Sequence, residues 1–138
     1  MKTALLLQIG SLTYLGLLAA GGLMPRVVKL REHLRSLPKF IQQLFWVYYS
    51  FIGLCLVGFG LGTFLLADQL ASGTPLARAV CGFMAIFWTL RFIAATFVFD
   101  LRPYLTTPWR RIGLAAANLV FTCLPIIYGW AALAGGTK

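Results

Sequence analysis

Hydrophobic residues crowd into four stretches of the chain, Ala4–Leu23, Leu44–Leu66, Ala79–Phe99 and Ile112–Ala134, and polar residues collect between them. Each stretch has the roughly 20 residues needed to cross about 30 Å of hydrocarbon at about 1.5 Å per residue. Backbone polar groups in lipid must be satisfied within their own segment, so these runs predict helices, and the ten-residue alternation of a membrane barrel is absent. The first run begins after Met1-Lys2 and ends in small residues at Ala19 to Gly22, as a signal peptide would. It is longer than the usual apolar core of about 7–15 residues in such peptides, which favours a retained helix.

Composition agrees with the pattern. Of 138 residues, 60% are hydrophobic and 11% charged, where a soluble domain carries about 25% charge. A water-facing enzyme, a disordered tail and a disulfide-stapled secreted domain are all poor fits. The expected architecture is all-α: one domain over residues 1–138, an integral membrane, antiparallel four-helix bundle.

The loops set an orientation. Those after the first and third spans carry Arg26, Lys29, Arg31, Arg35 and Lys39, and Arg102, Arg110 and Arg111; the opposite side has Lys2, Arg78 and Lys138. Lys/Arg excess marks the cytoplasmic side, which places both termini outside, in the periplasm of a bacterial inner membrane. The net charge of +9 then reads as a topology signal and not as a nucleic-acid-binding face.

The longest loop has its own periodicity. Pro25 is suited to opening a helix, Val27, Leu30, Leu34 and Leu37 recur at helical spacing, and Pro38 ends the pattern. This predicts a short amphipathic helix near residues 26–37 on the cytoplasmic leaflet, with Arg26, Lys29, Arg31 and Arg35 toward anionic lipid phosphates. Alternatively, the two flanking spans simply continue past the membrane. Pro75 is expected near the start of the third helix, and Asp100-Leu101-Arg102-Pro103 at its end. Trp46, Tyr48, Tyr49, Trp109, Tyr128 and Trp130 fall where interfacial anchors belong. Gly58 and Gly62, and Gly113 and Ala117, repeat a small-xxx-small spacing that predicts close helix packing.

The chemistry-bearing residues are sparse. His33 is the one histidine and lies in a loop; Cys55, Cys81 and Cys123 are on three different spans; no Asp or Glu falls inside a span. Two-histidine haem ligation, metal spacing and a carboxylate relay are therefore not expected, and no cofactor or metal is assigned. No nucleophile–His–acid set or phosphate-binding glycine loop is present. Arg91 stands out: a cation inside a span costs about 2.5–3.5 kcal/mol on insertion scales and should face protein, water or an anion. Depth counting places Asn118 opposite it, with Tyr14 and Ser50 at similar depth, a layer to which Trp88 and Phe87 add cation–π contact. The leading expectation is a small non-catalytic accessory or scaffold subunit of a larger membrane complex, meeting other subunits or itself. The alternatives are a ligand-binding or transport protein for an anionic solute, lipid or quinone head group at this layer, and a lipid-modifying or quinone-linked enzyme.

Overall fold

The computed structural model describes residues 2–98 and 106–134. Four long helices, α1 (Lys2–Val27), α3 (Lys39–Leu65), α5 (Pro75–Ile93) and α6 (Pro108–Ala134), alternate with two short ones, α2 (Leu30–Arg35) and α4 (Ala67–Ala71); α5 continues as a π-helical turn, Ala94–Val98. All four long helices are long and apolar enough to cross a membrane. Each begins before its apolar run, because hydropathy marks the hydrocarbon and not the helix ends. Asp100 to Pro103 and the last residue of the third apolar run lie outside the described residues.

Local chemistry fixes the ends. Thr74 caps α5, its hydroxyl accepting the Ala77 N–H at 3.3 Å, with Pro75 in the first turn as expected. Gly73 turns the chain with φ 71, a conformation open to glycine without cost. At the other end Pro25 does not open the amphipathic helix. Instead α1 runs through it to Val27, Lys29 takes a left-handed conformation (φ 49, ψ 41), and α2 is left with six residues. Of the predicted stripe Val27, Leu30, Leu34 and Leu37, Leu34 is the buried residue.

Pro25 still shapes this corner. Lacking an N–H, it cannot donate to the carbonyl four residues back, which is Gly21. The freed Gly21 carbonyl accepts a hydrogen bond from the Tyr49 hydroxyl of α3. A helix defect on α1 thus becomes a tie between α1 and α3.

The most extensive packing joins α5 with α6, α1 with α3, and α1 with α6, giving the order α3–α1–α6–α5 with chain-adjacent helices antiparallel. The bundle closes between α3 and α5 through Phe59 and Phe87, whose rings meet edge-on at 5.3 Å. The core lies toward the α4 end, where Leu7, Tyr14, Cys81, Trp88, Leu124 and Tyr128 are fully buried. The interior stripes are Ala4–Leu7–Ser11–Tyr14–Leu17 on α1, Ala77–Cys81–Met84–Trp88 on α5 and Leu124–Tyr128–Ala131 on α6. By contrast, the most apolar 18-residue stretch of α3 buries none of its residues. Exposed hydroxyls within the spans return hydrogen bonds to their own helix: Ser50 to Trp46, Thr89 to Ala85 and Thr122 to Asn118.

Close approach occurs at glycines other than those expected. A Cβ added at Gly58, Gly62 or Gly113 would meet nothing within 4 Å, whereas at Gly60 it would lie 3.0 Å from Tyr14 Cβ and at Gly10 3.2 Å from Ile127 Cδ1. The reason is phase. The α3 face toward the bundle runs through Tyr49, Gly53, Leu56, Gly60 and Thr63, and Gly58 and Gly62 fall beside it. Gly60→Ala is expected to lower stability by about 1–3 kcal/mol through overpacking against Tyr14, with Gly58→Ala unchanged or slightly stabilised. Thermal unfolding of both variants in one detergent checks this.

Candidate functional site

The polar core of the bundle is a chain of four side chains, one from each long helix. Trp88 Nε1 donates to the Tyr14 hydroxyl at 2.8 Å, the Tyr14 and Tyr128 hydroxyls lie 3.0 Å apart, and the Tyr128 hydroxyl lies 2.6 Å from Thr63 Oγ1. An indole N–H can only donate. The ordering that spends both phenol protons therefore runs Trp88 to Tyr14 to Tyr128 to Thr63. Given the helix order, Tyr14–Trp88 spans one diagonal of the bundle and Thr63–Tyr128 the other, and the two phenols join them. Tyr128 is consequently a core residue and not an interfacial anchor.

Aromatic packing continues toward Arg91. The Trp88 ring meets Tyr14 edge-on at 5.3 Å, meets Phe87 edge-on at 5.4 Å and stacks on Phe121 at 5.8 Å. Arg91 extends the interior stripe of α5 by one turn, is exposed, and places its guanidinium carbon 5.6 Å from the centre of the Phe121 ring. A cation over an aromatic face at this distance is an attractive contact of about 0.5–2 kcal/mol. Immediately beyond, the π-helical turn Ala94–Val98 widens the backbone.

The expected layer of Tyr14, Ser50, Arg91 and Asn118 does not assemble. Tyr14 belongs with Trp88 and Tyr128. Ser50 is exposed, one position off the packed face of α3, and bonds its own helix. The Asn118 amide oxygen is buried with no hydrogen-bond partner among the described residues, so it does not receive Arg91. The stacking of Trp88 on Phe121 sets the register of α5 against α6 and brings Phe121, one turn from Asn118, beneath the guanidinium. Trp88 is close to Arg91 in sequence, but the ring that the cation covers is on α6. Ala117 is half-buried on α6.

The sequence reading missed Thr63 and Tyr128. Tyr14 is twelve residues into α1 and Tyr128 six from the end of α6, which at about 1.5 Å per residue are depths of about 18 and 9 Å. Staggered helix ends and the length of the phenol close that gap. The usable signal was periodicity: Leu124–Tyr128–Ala131 continues one helical stripe.

The exposed cations Arg26, Lys29, Arg31 and Arg35 gather where α1, α2 and α3 meet. A crevice of about 570 Å³ there is lined by Gly22, Pro25, Arg26, Lys29, Arg31, Glu32, Trp46 and Tyr49. An adjoining one of about 450 Å³ shares Arg31 and Trp46 and adds Leu34, Arg35 and Gln42. Lys29 and Glu32 approach at 3.9 Å with both side chains largely exposed, a pair worth little in water.

Comparison with protein-family models, curated proteins and solved structures finds no match to this chain. Tyr128→Phe and Tyr14→Phe each remove two hydrogen bonds and are expected to cost more than Thr63→Val, at about 1–3 kcal/mol. Thr122→Val, which removes a hydroxyl bonded only within its own helix turn, serves as the near-neutral control. Unfolding midpoints of the four variants in one detergent give the ranking.

Proposed function

We propose that the chain is a small non-catalytic subunit of a larger membrane complex in a bacterial inner membrane, and that Arg91 receives an acidic or carbonyl-bearing group from a neighbouring subunit. The observation that supports this is the placement of Arg91: a cation within a span, on the interior stripe of α5, yet exposed. Asn118, whose amide oxygen is buried, is one turn of α6 from Phe121, the ring that Arg91 covers. An ionisable group at such depth is a candidate recognition element by default. The hydroxyls deeper in the bundle are already spent on one another, whereas Arg91 is a charged group that faces outward. The one-sided Lys/Arg excess supports an orientation with both termini in the periplasm and the α2 corner in the cytoplasm.

Tagged chain extracted from its native membrane in mild detergent is expected to co-purify with a membrane partner in fixed stoichiometry. Arg91→Leu is expected to reduce retention of that partner about tenfold, equivalent to about 1.4 kcal/mol, with Arg91→Lys intermediate and the isolated chain equally helical by circular dichroism. A chain that purifies alone, or a partner held equally by Arg91→Leu, contradicts the reading.

A further inference from the structure

We infer that the larger crevice at the α1–α2–α3 corner is a binding site for the phosphate-bearing headgroup of an anionic phospholipid. It is a built concavity with walls from three elements, and its chemistry is graded along the membrane normal. At the rim, Arg26, Lys29 and Arg31 face a single carboxylate, Glu32. Two arginines and a lysine converging on about 570 Å³ suit a phosphate, since guanidinium groups bind its oxygens in pairs and the ammonium adds a point charge. At the floor are Trp46 and Tyr49, about 10 and 15 Å along α3 from Lys39 at 1.5 Å per residue, the depth of the headgroup–acyl boundary. Amphipathic rings favour that boundary.

The floor is also held in place. The Tyr49 hydroxyl is tied to the Gly21 carbonyl that Pro25 leaves free, and Tyr49 stacks on Phe45 at 5.8 Å and meets Trp46 edge-on at 5.9 Å. Lys29, at the rim, holds a left-handed backbone uncommon for a residue with a side chain. Exposed Leu23 follows Gly22 on α1 and exposed Val47 follows Trp46 on α3, offering acyl chains a surface beside the crevice. A free phosphate ion would use the rim alone; a lipid uses rim, floor and flanks, which favours the lipid.

Gly22 provides a test independent of charge. Nothing lies within 4 Å of a Cβ added there, so Gly22→Leu is expected to extend into the crevice that Gly22 lines. Full-length chain in neutral detergent, titrated with phosphatidylglycerol or with phosphatidylcholine of matched acyl chains and read by native mass spectrometry, is expected to retain the anionic lipid at least tenfold more strongly. Arg26→Gln with Arg31→Gln, and separately Gly22→Leu, should each cut that preference fivefold or more, whereas Arg110→Gln with Arg111→Gln should leave it intact. Equal retention of both lipids overturns the proposal. So does equal loss on neutralising Arg110 and Arg111, which would reveal a general surface potential. Displacement of the lipid by millimolar inorganic phosphate would show that the site reads the ion alone, and also overturns it. Partner association through Arg91 is a separate readout and is unaffected by these variants.

Discussion

The Tyr128 hydroxyl is the point at which the bundle is joined. In hydrocarbon, a hydroxyl without a partner costs several kcal/mol, and no water is at hand to relieve it. Tyr128 is met by Tyr14 on one side and Thr63 on the other, and Tyr14 is met in turn by the Trp88 indole. These bonds run across both diagonals of the four helices, where backbone packing is least extensive. Apolar contact between helices has no preference over contact with lipid tails, so a membrane bundle relies on close packing and hydrogen bonds to choose its partners. Here the close packing is beside the hydrogen bonds: Gly60 lets α3 approach the stem of the same tyrosine whose hydroxyl is in the chain.

Because the polar core is toward the α4 end, the two ends of the molecule differ. At the α4 end, helices are knit by buried hydroxyls and closed by a capped turn. At the α2 end, α1 and α3 are tied through Tyr49, and the cations spread outward. Arg91 falls between these regimes, on the core-facing stripe but beyond the last fully buried residue of α5. A cation so placed is exposed while it still packs on the bundle through Phe121. The cation-bearing corner is near the helix ends and Arg91 is within a span, so the proposed partner and lipid contacts fall at different depths of one small protein.

Much of the fold was legible in the chain, since a helix crossing lipid must carry about 20 apolar residues and few other structures satisfy its backbone. Pro75 at the start of α5 was legible for the same local reason. Pro25 was not: its rigid ring suits the first turn of a helix, but it also fits the last turn of α1 once Tyr49 takes up the carbonyl it frees. The glycine spacing misled because small residues four apart mark a possible face without saying whether that face is turned inward. Gly60, with no such repeat in phase, is the residue that matters. Asn118 was placed against Arg91 by counting depth, which ignores the register that Trp88 and Phe121 impose by stacking. The cluster of cations in the first loop was apparent from sequence; their convergence on a walled crevice with Trp46 and Tyr49 depends on the hairpin of α1 and α3.

The most direct measurement is a double-mutant cycle between Tyr14→Phe and Thr63→Val in reversible unfolding. These residues are on different helices and are linked by hydrogen bonds through the Tyr128 hydroxyl. A shared hydroxyl predicts a coupling of about 0.5 kcal/mol or more, which should vanish when the same cycle is run with Tyr128→Phe as the background. Additive effects in the natural background would contradict a hydrogen-bonded junction of the four helices.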